Sequence, residues 1–257
     1  MARVREVGIA AARAAGELLR SRIDSIQEVR HKGVVDLVTD VDVASERLVC
    51  GTLLEAFPSH TILGEEGGTL GGDDPRFRWL LDPLDGTTNY AHGFPIFCVS
   101  IGLEVEGQLL FGAVYAPCQD ELYVAERGRG ATLNGQRIVV SEVDELRQAM
   151  VATGFPYDGD DLPRALRSFE VMSRASQAVR RVGSAALDLC YVACGRFDAY
   201  WEHRVKAWDV GAGALIVTEA GGQLSATDGS AFSVNGGQVL ASNRQLHPAL
   251  LEALRGI

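Results

Sequence analysis

The stretch Trp79-Leu80-Leu81-Asp82-Pro83-Leu84-Asp85-Gly86-Thr87-Thr88-Asn89 constrains this chain more than any other. Its apolar run, Trp79 to Leu81, reads as a buried strand. Two carboxylates, Asp82 and Asp85, follow at once, separated by Pro and Leu. Gly86-Thr87-Thr88-Asn89 then makes a turn rich in hydroxyl and amide groups, suited to opening a helix. Carboxylates at the C-terminal end of a strand, beside a helix N-terminus, suit a site that takes metal and phosphate together.

The flanking pattern predicts an α/β protein. Apolar residues at helical spacing over 3–22 predict a first helix. Residues 29–41 read as a loop or hairpin leading to Asp40 and Asp42, either of which can cap the next helix, stopped at Pro58. Thr61-Ile62-Leu63-Gly64 is a short strand ending at Glu65-Glu66, and 67–74 is a Gly/Asp loop. From Phe97 to Val140 the pattern is an antiparallel meander, with strands at 98–105, 109–115, 122–125 and 136–140. Turn signals at Glu106-Gly107, Pro117 and Asn134-Gly135 separate them. Strands and helices alternate thereafter: strands at 150–153, 178–181, 199–202 and 239–241, helices at 162–176, 183–194, 208–220 and 248–254. The composition shift at 141–149 divides the chain into 1–143, which carries the Asp82–Asn89 motif, and 144–257.

The chain has 257 residues and a formal net charge of -10, with no Lys/Arg cluster of the kind that tracks a nucleic-acid backbone. An acidic protein acting on an anionic substrate needs local positive charge, which bound cations supply. The five cysteines show no disulfide spacing, so a reducing compartment is expected; Cys190 and Cys194 read as small buried hydrophobes. The N-terminus lacks the apolar core of a signal peptide, and no segment reaches membrane-spanning length. The expectation is a cytoplasmic protein with no membrane or direct nucleic-acid partner.

Two further acidic features fall at element ends: Gly64-Glu65-Glu66-Gly67 after a strand, and Trp208-Asp209 opening a helix. Singly, each is ordinary: Asp85-Gly86 is a common turn dipeptide, Asp209 a common N-cap, Glu65-Glu66 a solvated loop. Together Glu65, Asp82, Asp85 and Asp209 offer hard oxygen donors without clustered His or Cys, favouring Mg²⁺ or Mn²⁺ over Zn²⁺. Two bare carboxylates ~4 Å apart repel by about 4 kcal/mol at an effective dielectric of 20, so convergence of all four calls for cations.

With these motifs the sequence resembles the inositol monophosphatase family of magnesium-dependent, lithium-sensitive phosphatases over essentially its whole length. Trp79 to Asn89 matches one signature and Trp208 to Gly222 the other; Gly64-Glu65-Glu66 and Val35-Asp36-Leu37-Val38-Thr39-x-x-Asp42 match as well. The resemblance implies a layered α-β-α-β-α sandwich, a homodimer, and hydrolysis of a small phosphorylated polyol or sugar. It implies that Glu65, Asp82 and the Leu84 carbonyl hold one Mg²⁺, that Asp82, Asp85 and Asp209 hold a second, and that a third, weaker ion sits near Glu65. Thr87, backed by Asp42, would orient the attacking water, with Glu65 part of the same catalytic group. The Gly86 and Thr87 N–H groups would hold phosphate. Asp85, Gly183, Ser184, Ala185, Glu202 and Asp209 would meet the substrate, and Lys32 would lie in a loop near the site.

The implied activity is that of an inositol-1-phosphate phosphatase working by in-line attack of water, without a Cys or Ser nucleophile. Relatives acting on fructose 1,6-bisphosphate, histidinol phosphate or 3′-phosphoadenosine 5′-phosphate are alternatives within the superfamily. From a different class, some bacterial relatives are partners of the transcription machinery. Lys206-Ala207 precedes Trp208 where the bacterial pattern often has Pro, and His203-Arg204 follows Glu202. Arg204 or Lys206 would suit a second anionic group, and either also suits plain solvent exposure.

Overall fold

The computed structural model describes residues 1–23, 29–31, 37–156 and 161–257. Helices α1 (Ala2–Arg22) and α2 (Asp40–Ala56) lie together as the first layer. The buried face of α1 is built from small residues and Leu19, which lets it lie close on a sheet. Between the two helices, β1 (Val29–His31) and β2 (Leu37–Thr39) pair antiparallel, so this region is a hairpin. Lys32 and Asp36 lie outside the described residues.

The second layer is an eight-stranded mixed sheet in the order β10-β9-β8-β7-β6-β5-β3-β4. Its strands are β3 (His60–Gly64), β4 (Gly68–Gly71), β5 (Asp74–Asp85), β6 (Cys98–Val105), β7 (Gln108–Ala116), β8 (Glu121–Glu126), β9 (Ala131–Leu133) and β10 (Gln136–Ile138), with the short helix α3 (Thr87–Ala91) after β5. The expected meander is present, and β3 joins it parallel to β5. The expected loop at 67–74 is instead partly strand: β4 pairs antiparallel with β3 from Gly64↔Gly68 to Thr61↔Gly71. Its exposed Gly-Thr-Leu-Gly sequence carries no burial alternation, so backbone pairing alone defines it.

The second sheet has the order β12-β11-β13-β15-β14. Strands β11 (Met150–Thr153), β12 (Ala178–Arg180) and β13 (Ala199–His203) run parallel, whereas β14 (Gln223–Ser225) and β15 (Gln238–Ser242) make antiparallel pairs. Helices α4 (Leu162–Ala175) and α7 (His247–Leu254) cover its outer face, with Met172, Trp201, Leu240 and Leu250 fully buried there.

Helices α5 (Ala185–Ala193) and α6 (Ala207–Glu219) fill the space between the sheets. Both are apolar nearly all round, as a helix covered on every side must be. One core runs from Cys98, Val114 and Tyr123 of the first sheet through Leu189, Cys190, Val210 and Ile216 to Tyr200 and Val239 of the second. The layers therefore alternate helix, sheet, helix, sheet, helix. This stacking brings the N-termini of α5 and α6 to the C-terminal end of β5.

Candidate active site

The end of β5 is shaped by Pro83. Having no N–H to give, it interrupts the pairing with β6, and the register shifts between Asp82↔Ser100 and Asp85↔Cys98. The two carboxylates thus flank a bulge instead of following the strand. The Leu84 N–H donates to Asp82 Oδ1 at 3.0 Å. The chain then turns at Gly86, whose φ of 96° is left-handed. A Cβ there would also lie 2.9 Å from the Ile96 carbonyl, so glycine is required on both counts.

Helix α2 braces this turn along one face. Thr87 Oγ1 lies 3.2 Å from Asp42 Oδ1 and 3.0 Å from the Leu84 carbonyl, so its one proton has two acceptors in reach. Ser45 donates to the Pro83 carbonyl at 2.8 Å, and Glu46 accepts from the Glu66 N–H at 2.9 Å. Asp42, Ser45 and Glu46 are spaced i, i+3, i+4, so they share a face and hold both the β5 turn and the loop bearing Glu65.

The C-terminal half closes the other side. Asp85 Oδ2 accepts from Ser184 Oγ and from the Ala186 N–H, each at 2.7 Å, which fixes it to the start of α5. Asn89 Nδ2 donates to the Ile96 and Val182 carbonyls at 2.7 and 2.9 Å, tying α3 to the same loop. Asp209 sits in the first turn of α6 and accepts from the Lys206 N–H at 2.7 Å.

These elements surround one cavity of about 490 Å³. Glu65, Asp82, Leu84, Asp85, Gly86, Thr87, Gly183, Ser184, Ala185, Glu202 and Asp209 all line it. Asp42 stands behind Thr87, fully buried. Arg204 and Lys206 also line the cavity from exposed positions, and Arg204 Nη1 lies 3.5 Å from Asp161. The cavity walls include residues the sequence reading passed over, among them Gly154, Arg181 and Asp188. Asp188 is buried, and its Oδ1 has no hydrogen-bond partner among the described residues. Its place, one turn into α5 after Ser184, is the only sequence signal that points to it.

The electrostatics of the site are those of crowded acid groups. Burial raises Asp82 well above the ordinary carboxylate range, and the charges of Glu65, Asp85 and Asp209 push it further. Asp209 is raised chiefly by burial and then by Asp85, Glu65 and Glu202, against the Lys206 N–H. Burial also raises Asp85, with the donors from Ser184 and Ala186 opposing. Glu202 is raised to about 7, mainly by burial, while the Tyr200 hydroxyl and Arg181 act the other way. Cys98, beside Asp85 at 3.8 Å, is held as a neutral thiol by burial.

Four carboxylates lining one cavity, with Asp82 and Asp209 raised by burial and by their neighbours' charges, fit hard divalent cations by donor chemistry. Among the described residues, no three His, Cys, Asp or Glu side chains already converge as a closed ligand set. The donors are right in kind and line the same cavity. None of the five cysteines is in a disulfide, and among the described residues no helix is long and apolar enough to cross a membrane.

A family model described as "Inositol monophosphatase family" matches residues 1–257. The inositol-1-monophosphatase of Synechocystis is 43% identical, covering 97% of this chain and 88% of its own. The Nus factor SuhB of Pseudomonas aeruginosa is 42% identical, covering 97% and 94%. The crystal structure of the extragenic suppressor protein suhB from Bartonella henselae superposes with a TM-score of 0.95 at 38% identity, covering 99% of each chain.

Proposed function

This chain belongs to the inositol monophosphatase family of phosphatases, and from that premise we propose that it is a Mg²⁺-dependent phosphomonoesterase acting on a small phosphorylated polyol such as inositol 1-phosphate. One observation carries the reading: Glu65, Asp82, Asp85 and Asp209, from three separate parts of the fold, line one cavity beside the Gly86–Thr87 turn. In this reading Glu65, Asp82 and the Leu84 carbonyl would hold one Mg²⁺, and Asp82, Asp85 and Asp209 would hold a second. A weaker third ion would sit near Glu65, and Mn²⁺ could substitute. Bound there, such cations would supply activation of water for in-line attack and stabilisation of the charge on the departing alkoxide.

The protein's own groups do the rest. Thr87, donating its proton to Asp42, offers its hydroxyl oxygen to a proton of the attacking water. The N–H groups of Gly86 and Thr87 hold phosphate oxygens at the start of α3. Gly183, Ser184, Ala185 and Glu202 face the leaving alcohol, and Asp85 and Asp209 border it. The protein acts as a cytoplasmic homodimer, and lithium inhibits it by competing at a Mg²⁺ position.

Likeness at 42% identity to a protein named Nus factor supports a second reading, in which this chain also binds a transcription partner. A phosphate-release screen with Mg²⁺ separates these readings. Inositol 1-phosphate is expected to lead fructose 1,6-bisphosphate, histidinol phosphate and 3′-phosphoadenosine 5′-phosphate in kcat/KM. Negligible turnover throughout, with RNA polymerase recovered by the immobilised protein, would reverse the order of the two readings.

A further inference from the structure

Glu202 is half-buried at the cavity wall, with its carboxylate set among protein groups. It stands on β13, where it pairs with Val239 of β15, and the pairing of β13 with β11 runs up to its neighbour Trp201. Thr153 Oγ1 adds a bond to the Trp201 carbonyl at 2.8 Å, locking β11 against β13 beside it. Tyr200, two residues earlier, shares its face of the strand and is fully buried. The Tyr200 hydroxyl donates to Glu202 Oε2. Opposite, Gly154 leaves the space the carboxylate fills: a Cβ there would lie 2.0 Å from Oε2 and 2.4 Å from Oε1. A carboxylate accepts at both oxygens, and here one is committed to the protein.

We propose that Tyr200 and Gly154 are specificity-positioning residues, which hold Glu202 in the one orientation that turns its second oxygen toward a hydroxyl of the leaving alcohol. The inference rests on the phosphatase reading above. It assigns the preference for polyhydroxylated leaving groups to a preset carboxylate, not to Glu202 alone. A carboxylate free to rotate pays entropy on meeting each hydroxyl, and a preset one does not. The socket therefore favours phosphate esters of polyols over esters that present no hydroxyl there.

The test compares inositol 1-phosphate with p-nitrophenyl phosphate, which lacks any leaving-group hydroxyl, for the wild type, Tyr200→Phe, Gly154→Ala, Glu202→Ala and the double variant Tyr200→Phe/Glu202→Ala. The ratio of the two kcat/KM values is expected to fall about tenfold in Tyr200→Phe, mostly through KM for the polyol ester, as for one lost charge-assisted hydrogen bond. Gly154→Ala should lower the same ratio by displacing the carboxylate, which keeps the idea testable if Tyr200→Phe folds poorly. Adding Tyr200→Phe to Glu202→Ala should then change nothing further. A ratio that stays at the wild-type value in both single variants overturns the inference, as does an equal fall in the Glu202→Ala background. Absence of turnover by the wild type on both esters would instead overturn the phosphatase reading, and the inference with it.

Discussion

At the scale of single residues, the site was legible where its chemistry is local. Glu65, Asp82, Asp85, Gly86, Thr87 and Asp209 sit in short motifs, and the structure brings them to one cavity. Ser45, Glu46, Gly154 and Tyr200 were not legible, because each acts on a partner distant in sequence or on the space that partner needs. His203 shows the same dependence. It is buried, with Nδ1 3.4 Å from Thr227 Oγ1, and burial followed by the charge of Arg164 lowers its pKa from 6.5 to about 4. As pH falls, the unfolded chain takes up that proton first. The contribution of neutral His203 is therefore complete above about pH 6.5 and is lost as pH falls toward 4. Between pH 7 and pH 5 the melting temperature of the wild type should fall relative to that of His203→Gln. The difference between the curves isolates His203 from the buried carboxylates, whose raised pKa values act with the opposite sign. Parallel curves would remove His203 from the account.

At the scale of elements, α6 couples packing to chemistry. The sequence pattern placed a helix at 208–220, but not the surfaces it meets, since such a pattern carries no partner. The structure sets it against β5, β6 and β7 while its first turn carries Asp209. The approach at β7 is very close: a Cβ on Gly112 would lie 2.7 Å from the Ala212 carbonyl oxygen. Gly112→Val should thus force the helix outward, at a cost of about 1–3 kcal/mol for overpacking. Calorimetry should show a melting temperature lower by several degrees, with turnover reduced as well because Asp209 moves with the helix. An unchanged melting temperature would mean that the contact is looser than described. The strands β4, β9 and β14 escaped the sequence reading for a related reason. Each has three or four residues, too few for an alternating pattern to register, and is defined by the backbone beside it.

At the scale of the whole molecule, the alternation of meander and α/β pattern led to two mixed sheets with helices between and outside them. We propose that the division at 143/144 separates two units that cannot stand apart. The core around Cys98, Val114, Leu189 and Ile216 draws on both sides of that boundary, and so does the cavity. Either half alone would expose the faces that α5 and α6 now cover. The full chain should unfold in one transition by circular dichroism and by tryptophan fluorescence, and separately expressed 1–143 and 144–257 should bind a hydrophobic dye. Two resolved transitions would show that the halves are independent. The same convergence is what makes a cation site possible, since β5 supplies Asp82 and Asp85 while α6 supplies Asp209. The most direct measurement is phosphate release from inositol 1-phosphate by chelator-treated protein as Mg²⁺ is titrated back, for the wild type and for Asp85→Asn. The account predicts no turnover without the cation, saturable recovery in the wild type, and a loss of about a hundredfold or more in a folded Asp85→Asn. Turnover that persists in chelator, or near-normal recovery in Asp85→Asn, would contradict it.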